Sequence, residues 1–379
     1  MTASKPGLYV HLPYCASRCG YCAFVVTTDA SSRERYLGAL DFEAALLGPE
    51  VSDAGGAFDS VYLGGGTPSY VPPEETAILL DALRRRFPLA AEPEVTLEAN
   101  PEDVTPDAVA AWRSAGINRV SVGIQSLADR ELSAVGRRHD AGGARTALGR
   151  LAGAGLSVSG DLILGLPEQT PASFRASLTG LVAAGVEHVS VYLLESDKSK
   201  SLEEDRRLRP ERYLSDDAQA ELWLEMGETL AAGGFAHYEI SNWARPGREA
   251  RHNLKYWRRD PTLGLGVSAH ELWSGRRRAN VSSLDRYFSE LAGGRRPLAF
   301  DIPVSAEEQA REEIYLGLRL AGGIEAGRIE AFVSEAEDVR LWEDYEAWVA
   351  EGVLVRRADR VAFTERGFLV SNEVLSRFV

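Results

Sequence analysis

The sequence predicts an α/β protein: a partial (β/α)6 barrel followed by a small C-terminal domain that is helical and winged-helix-like. Short β-branched runs alternate with longer helical patterns through the first 200 residues, which is typical of βα units and a parallel sheet. Polar residues recur where successive predicted strands end. A doubly wound open sheet shows the same alternation, so periodicity leaves that architecture open.

Six predicted strands and five intervening helices make up the barrel. The strands, short runs rich in Val, Ile, Leu or Tyr, are at residues 8–12, 60–63, 95–98, 119–123, 157–164 and 188–194. The helices are near residues 32–47, 74–86, 106–115, 141–153 and 171–184. In a barrel or an open sheet, ligands bind at the carboxyl ends of the parallel strands, so we expect the functional site there.

The pattern changes beyond residue 200. An acidic amphipathic helix is predicted from about 213 to 231, and a Trp- and Gly-rich stretch follows it to about 275. In the C-terminal part the pattern predicts helices near 306–320, 325–333 and 338–350. It also predicts a hairpin with strands at 353–356 and 360–363, and a final helix after Thr364. We therefore divide the chain into a barrel (1–200), an extension (201–300) and a C-terminal domain (301–379).

Composition excludes several classes of protein. The chain has 379 residues and a formal net charge of −14, so it lacks the basic surface that phosphate neutralisation needs, and nucleic acid is not expected as a partner. No stretch reaches the ~20 apolar residues of a membrane span. No signal-peptide core precedes the first predicted strand. We expect a cytoplasmic protein, in which thiols stay reduced.

The cysteines are the most informative residues of the composition. The sequence contains three, all within one short segment, as Cys15-x3-Cys19-x2-Cys22. An odd number of cysteines within one short segment is not the pattern of a disulfide framework and indicates a metal site. Structural zinc takes four ligands, and His11 could supply the fourth, so a zinc site stays open. On an iron–sulfur cubane, three thiolates would leave one iron open to a small-molecule chelate.

Polar or glycine-rich residues stand at the carboxyl ends of the predicted strands. They are Gly64, Gly65, Gly66 and Thr67 after the second strand, Glu98 at the third, Gln125 after the fourth, Asp161 in the fifth, and Tyr192 and Glu195 at the sixth. Three consecutive glycines remove every Cβ, which allows a ligand to approach the backbone closely. The lysine of a phosphate-binding loop is absent. Packing does not explain polar side chains at the same end of successive strands, so these are candidate binding residues.

A series of motifs in one order carries a family resemblance. The motifs are the cysteine segment with Tyr9, His11, Pro13 and Tyr21, then Gly64-Gly-Gly-Thr-Pro-Ser69, Glu98-Ala-Asn-Pro-Glu102, Gly123-Ile-Gln125-Ser, Arg137-Arg-His139 and Asp161-Leu-Ile-Leu-Gly-Leu-Pro167. Together they resemble the signature of radical S-adenosylmethionine (SAM) enzymes of the coproporphyrinogen dehydrogenase branch. The resemblance extends from residue 9 to about 257, roughly two thirds of the chain.

The resemblance implies two cofactors. A [4Fe–4S] cluster would bind Cys15, Cys19 and Cys22, and the amine and carboxylate of SAM would chelate its open iron. The implied SAM-binding residues are Tyr9, Tyr21, Gly65, Gly66, Thr67, Glu98, Gln125, Arg137 and Asp161. Their types suit the ligand, because carboxylates accept hydrogen bonds from ribose hydroxyls or an ammonium group and arginine clamps a carboxylate. Arg138 adjoins Arg137, so the sequence leaves open which of them points inward.

Two features resemble the heme-chaperone subgroup of this branch. In the dehydrogenase a fourth cysteine follows two residues after the third, whereas this chain has Phe24 there. The stretch His252-Asn253-Leu-Lys-Tyr256-Trp257 resembles the HNxxYW motif associated with heme binding in the chaperones. The resemblance therefore implies heme as a further cofactor, with His252 as its iron ligand. Without the resemblance, a histidine beside two aromatic residues is more often structural.

The expected function is that of a heme-binding chaperone, which uses the cluster and SAM while delivering heme to a cytochrome or a membrane protein. The alternative is an oxygen-independent coproporphyrinogen III dehydrogenase, which decarboxylates two propionates oxidatively; Phe24 counts against it. A third class, a non-catalytic metal-binding or electron-transfer protein, is disfavoured by the glycine run and the polar strand ends.

We predict that Cys19→Ser abolishes the visible absorbance of the reconstituted cluster and the binding of SAM, because the cubane loses one of its three thiolates. The far-ultraviolet circular dichroism should stay that of the wild type. Ser17→Ala, in the same segment, is the control and should keep both properties. A four-iron spectrum retained by Cys19→Ser would refute the ligand assignment.

Overall fold

The computed structural model describes residues 4–54, 56–335 and 339–379 and divides into two compact units. Unit one is the chain up to Ser215 together with Asp260–Pro303, and unit two is Asp216–Arg259 together with Val304–Val379. The predicted extension, 201–300, is shared between them. The reason is that the chain returns to the main sheet after residue 259, where a strand pairs with the first strand of the protein.

The strands are numbered in chain order. They are β1 (Gly7–Leu12), β2 (Phe58–Gly65), β3 (Leu89–Ala99), β4 (Arg119–Gln125), β5 (Ser157–Leu164), β6 (His188–Leu193), β7 (Ala236–Glu239), β8 (Asn242–Ala244), β9 (Thr262–Leu265), β10 (His270–Trp273), β11 (Arg276–Asn280), β12 (Leu298–Pro303), β13 (Ile324–Glu325), β14 (Leu354–Arg357) and β15 (Arg360–Phe363).

The α-helices are numbered in the same way. They are α1 (Arg33–Ala54), α2 (Pro73–Arg86), α3 (Pro106–Ser114), α4 (Asp129–Ala134), α5 (Ala141–Gly153), α6 (Pro171–Ala183), α7 (Lys200–Leu208), α8 (Asp216–Ala232), α9 (Arg251–Arg258), α10 (Leu284–Ala292), α11 (Ala306–Gly317), α12 (Ala326–Glu335), α13 (Val339–Ala350), α14 (Glu365–Leu369) and α15 (Ser371–Ser376). Within the described ranges, no helix combines the length and the apolar character needed to cross a bilayer.

The sheet of unit one has the strand order β12-β11-β10-β9-β1-β2-β3-β4-β5-β6. Strands β1 to β6 are parallel and lie side by side in chain order. A doubly wound sheet would reverse its order at a switch point, so this order excludes that alternative and confirms the partial-barrel architecture. The sheet is not closed among the described residues, since β9 pairs with the free edge of β1.

The predicted barrel elements are confirmed, but β3 begins six residues earlier than predicted and α1 ends seven residues later. β5 and α5 begin and end at the predicted residues. Local sequence explains the helix starts: Asp140 accepts a hydrogen bond from the backbone of Gly143 at the start of α5, and Thr170 and Ser173 form a capping box at α6. The parallel pairing of β1 to β6 places the carboxyl ends of these strands, and with them the strand-end residues, at one edge of the sheet.

The short strands β9 to β12 were not predicted, because β11 has the sequence of a charged loop. Its Arg278 is buried, and its guanidinium donates to Glu50 at 2.8 Å, to Glu271 at 2.9 Å and to Asp301 at 3.0 Å. These carboxylates compensate the arginine charge inside the fold, which β-propensity does not register.

Unit two contains α8, the hairpin β7–β8, α9 and the C-terminal module. The module runs α11-β13-α12-α13-β14-β15, with an antiparallel sheet in the order β13-β15-β14, and this is the arrangement of a winged helix, as predicted. Its core includes the fully buried Tyr345 and Phe378. Arg259, at the end of α9, pairs with Glu312 of α11 at 2.6 Å. This ion pair ties the two chain segments of unit two together.

A buried carboxylate joins the distant parts of unit one. Glu43 of α1 is 0% exposed and accepts three hydrogen bonds, from the backbone of Gly266 at 2.8 Å, from Asn280 at 2.6 Å and from Tyr287 at 2.7 Å. Burial raises the pKa of Glu43. The three donors lie beyond β9, so this side chain connects the first helix to the returning segment of the chain.

We predict that Glu43→Ala lowers the free energy of unfolding of unit one by about 3 kcal/mol or more, because it leaves the buried donors of Gly266 and Tyr287 without this acceptor and removes one of the two acceptors of the Asn280 amide. Urea denaturation followed by circular dichroism measures this difference. Glu34→Ala, at an exposed position of the same helix, is the control and should stay within about 0.5 kcal/mol of the wild type. Equal stabilities of the two variants would contradict the role assigned to Glu43.

Candidate functional site

The cysteine loop, residues 13–27, follows β1. The backbone of Cys15 donates to Thr27 at 3.0 Å, the backbone of Thr27 donates to Pro13 at 2.8 Å, and that of Cys22 donates to Cys19 at 3.2 Å. Cys15 is buried, whereas Cys19 and Cys22 are partly exposed. Burial raises the pKa of the Cys15 and Cys22 thiols. The loop is thus a closed structure that carries three thiols next to the carboxyl end of the sheet.

The glycine run packs directly on this loop. The backbone of Gly66 donates to Leu12 at 2.9 Å, and that of Thr67 donates to Tyr14 at 2.9 Å. A Cβ at Gly66 would lie 2.7 Å from the carbonyl carbon of Pro13, closer than packed atoms approach. Gly66 is therefore needed for contact between two backbones, a role that the sequence did not suggest. The contact of the glycine run with SAM stays a prediction.

His11 has no nitrogen available for a metal. Its Nδ1 is 3.1 Å from the hydroxyl of Tyr9, and its Nε2 is 3.0 Å from the carbonyl oxygen of Val25. The ring is buried, and a Cβ at Gly65, where φ is +111°, would lie 2.6 Å from it. This arrangement removes the fourth ligand on which the zinc alternative depended.

The donor set suits an iron–sulfur cluster. Among residues 4–54, 56–335 and 339–379, no three His, Cys, Asp or Glu side chains converge as ligands of one ion. A cubane does not need such convergence, because each thiolate binds a different iron. Thr67 donates to the sulfur of Cys15 at 3.4 Å, and Nη1 of Arg137 lies 3.5 Å from the sulfur of Cys19. Donors to sulfur stabilise thiolate charge around a cluster.

Asn100 joins these two sulfur contacts; the sequence analysis includes it in the motif that ends the third strand but does not list it among the binding residues. Its amide nitrogen donates to the hydroxyl of Thr67 at 3.4 Å, and its carbonyl oxygen accepts from Nη2 of Arg137 at 2.7 Å. One side chain thus holds the two residues that contact Cys15 and Cys19. The available signals were its place in the motif Glu98-Ala-Asn-Pro-Glu102 and its position directly after β3.

Arg137 is the inward-pointing arginine of the pair, since Arg138 is exposed. Besides its contact with Cys19, the guanidinium donates to the carbonyl oxygen of Gly123 at 2.7 Å and lies 3.5 Å from the hydroxyl of Tyr21. Burial raises the pKa of Tyr21, so its hydroxyl stays protonated. The arginine therefore brings the cysteine loop, Tyr21 and the end of β4 together.

Two carboxyl groups at the ends of β3 and β5 carry raised pKa values. Glu98 accepts from the hydroxyl of Tyr62 at 2.8 Å and from the backbone of Gly65 at 3.1 Å, and burial, helped by the nearby charge of Asp161, raises its pKa to about 7. Asp161 accepts from the hydroxyl of Ser121 at 3.0 Å, and burial raises its pKa to about 6. Both are desolvated acceptors that a hydroxyl or ammonium group of a ligand would stabilise in the charged form.

The remaining predicted residues lie beside these groups. The ring of Tyr9 stacks on that of Tyr62, with centroids 6.2 Å apart, and so lies next to Glu98. Gln125 has a φ of +64°, and its side-chain nitrogen lies 2.9 Å from the position that a Cβ would take on Gly123. A side chain at position 123 would therefore displace the Gln125 amide from this position.

His252 belongs to unit two, on α9. It is 1% exposed, and its Nε2 is 2.9 Å from the hydroxyl of Tyr256, one helical turn along. Burial, together with the charge of Lys255, lowers the pKa of His252 to about 3, so the imidazole is neutral at physiological pH. The side chain of Arg319 lies over the ring of Trp257 at 5.3 Å. Of the two aromatic residues of this motif, Tyr256 is the exposed one.

Comparison with known proteins agrees with this geometry. Residues 9–179 match the radical SAM superfamily, and residues 304–370 match the HemN C-terminal domain. The chain is 38% identical to the heme chaperone HemW of Mycobacterium tuberculosis H37Rv, over 97% of this chain and 93% of the relative. It is 30% identical to HemW of Bacillus subtilis, over 98% of both chains. The solved structure of coproporphyrinogen III oxidase (HemN) from Escherichia coli superposes with a TM-score of 0.84 at 23% identity, covering 99% of this chain and 90% of that one.

The first match places the three cysteines in a radical SAM domain, a class that implies a [4Fe–4S] cluster and SAM as cofactors. The likeness to the oxidase structure shows a shared fold. Within the radical SAM superfamily, this chain belongs to the family whose members are named heme chaperone HemW.

We compare the free energy of unfolding of the wild type with that of Glu98→Gln. We predict that the wild-type value minus the variant value falls as the pH rises from about 4.5 to about 7. Because burial raises the pKa of Glu98, the folded protein keeps a proton in this range that the unfolded chain has released, and each rise in pH favours unfolding. Urea unfolding of the cofactor-free protein across a pH series measures the difference. Asp161→Asn should show the same sign, with the fall ending near pH 6. A difference that does not change with pH would contradict the assigned burial.

Proposed function

We propose that this protein binds heme and passes it to an acceptor protein, while unit one holds a [4Fe–4S] cluster and SAM. The observation that carries the proposal is the identity of 30% to 38%, over nearly the whole chain, to proteins named heme chaperone. The stretch from His252 to Trp257, which resembles a heme-associated motif, supports it further because it forms a helix with one exposed tyrosine and one neutral histidine.

In unit one, Cys15, Cys19 and Cys22 would hold the cluster. The residues proposed to bind SAM are Tyr9, Tyr21, Gly65, Gly66, Thr67, Glu98, Gln125, Arg137 and Asp161. When bound, the two cofactors supply one-electron chemistry that can cleave a carbon–sulfur bond of SAM. The contribution of the chain is to place donors next to two of the sulfur atoms and to keep Glu98 and Asp161 as desolvated acceptors beside them.

In unit two, His252 has the chemistry of a heme ligand. An imidazole binds iron in its neutral form, and burial keeps His252 neutral. Its Nε2 is occupied by the Tyr256 hydroxyl, so ligation through this atom requires that hydroxyl to leave. Tyr256 is 38% exposed, and we propose that the macrocycle first contacts this ring.

The dehydrogenase alternative is less well supported. Phe24, at the position that resembles the place of its fourth cysteine, is 67% exposed on the cysteine loop and offers no thiol. We therefore propose a chaperone whose acceptor is a cytochrome or a membrane protein that takes up heme, and which acts in the cytoplasm.

We predict that His252→Ala weakens heme binding by about tenfold or more, because an axial iron ligand is lost, while the cluster spectrum and SAM affinity are unchanged. Anaerobic titration of the reconstituted protein with heme, followed by the Soret band, measures the affinity. His270→Ala, which removes an exposed histidine of β10 in unit one, is the matched control and should bind heme like the wild type. Equal heme affinity of the two variants would show that His252 is structural.

An assay with coproporphyrinogen III, SAM and a reductant tests the function itself. Saturable one-to-one heme binding without porphyrinogen oxidation supports the chaperone. Turnover to protoporphyrinogen without heme binding would overturn the proposal and assign the chain to the dehydrogenase branch.

A further inference from the structure

The backbone at Gln125 forms a strained turn. Its φ of +64° is in the left-handed region, and the backbone of Ser126 donates to the carbonyl oxygen of Ile124 at 2.8 Å across it. This is a γ-turn with a positive central φ, a rare conformation in proteins. The pairing of β4 with β5 also shifts register between Gly123 and Gln125. Such a conformation persists only where neighbouring contacts hold it.

Two side chains of one loop hold the two residues before Gln125. Arg137 donates to the carbonyl oxygen of Gly123 at 2.7 Å, and Nε2 of His139 lies 3.1 Å from the carbonyl oxygen of Ile124. A carbonyl oxygen only accepts hydrogen bonds, so Nε2 of His139 carries the proton. The oxygen that closes the γ-turn therefore accepts a second hydrogen bond from a histidine that is 8% exposed.

The other nitrogen of His139 faces a carboxylate. Its Nδ1 is 3.6 Å from Oε2 of Glu102, which is ion-pair distance and beyond a hydrogen bond, and neither of these buried atoms has a hydrogen-bond partner. Burial alone would raise the pKa of Glu102, but its interactions with His139 and Arg137 outweigh burial and lower it, so Glu102 is ionised. Attraction between Glu102 and Nδ1 requires a proton on Nδ1 as well as on Nε2, and a ring protonated on both nitrogens is held between the carboxylate and the carbonyl oxygen of Ile124.

We propose that His139 is a positioning residue for SAM: it holds the γ-turn that presents Gln125, and Glu102 orients its ring. This inference rests on the proposed contact between Gln125 and SAM. A histidine that merely filled the core would affect folding, whereas a positioning residue affects the geometry of the turn and thus the affinity for SAM.

The test uses the full chain, reconstituted anaerobically with its cluster, and measures SAM affinity by equilibrium dialysis, together with iron content and the thermal unfolding midpoint. His139→Leu removes the donor to Ile124 and should weaken SAM binding by about tenfold, the effect of one well-placed hydrogen bond, with iron content unchanged. His139→Gln retains a side-chain donor and should restore most of the affinity. Arg130→Leu, at an exposed position of α4, is the control.

The outcomes separate two proposals, the role of His139 and the contact between Gln125 and SAM. If His139→Leu binds SAM within about twofold of the wild type while Gln125→Ala has lost affinity, the role of His139 is overturned. If Gln125→Ala itself binds SAM normally, the proposed contact of Gln125 fails instead. If His139→Gln binds SAM as poorly as the leucine variant, the hydrogen bond is not the cause and the inference fails. Should His139→Leu lose iron or unfold, Glu102→Gln decides: a severalfold loss of SAM affinity at full iron content supports the inference, and unchanged affinity overturns it.

Discussion

The backbone contact between the cysteine loop and the glycine run determines where every other part of the site lies. Gly66 and Thr67 donate to Leu12 and Tyr14, and no side chain fits between the two backbones. Because the loop is held at this distance, Thr67 can reach a cysteine sulfur, and Asn100 can join Thr67 to the arginine that reaches another. The thiols are thus positioned by the ends of the parallel strands as well as by their own loop.

Burial has the same physical effect on ionisable side chains in both units, although the protonation states that it favours are opposite. In unit one it favours the protonated form of Glu98 and Asp161, and in unit two it favours the deprotonated form of His252. In each case the neutral state is stabilised. The carboxyl groups accept hydrogen bonds, and the neutral imidazole has a lone pair suited to a metal, so both units provide polar groups whose desolvation a ligand can compensate.

The sequence was sufficient for the parallel strands, because their alternation with helices and the polar residues at their ends both have a recognisable pattern. It was not sufficient for β11, whose arginines enter the sheet only because distant carboxylates compensate them. Tyr62 and the connecting role of Asn100 were missed for a related reason: these side chains hold other site residues, and the sequence does not show which residue a side chain will hold. The cation over Trp257 likewise comes from a residue distant in sequence, Arg319.

The discontinuity of unit two has a consequence for synthesis on the ribosome. Unit one is complete in sequence once Pro303 has emerged, whereas α9 makes its ion pair with Glu312 and its contact with Arg319 only with later residues. Since domains fold largely in the order in which they are made, the barrel of the nascent chain can fold while α9 still lacks its contacts with Glu312 and Arg319. Helix α9 therefore gains these contacts only after both later residues have left the exit tunnel.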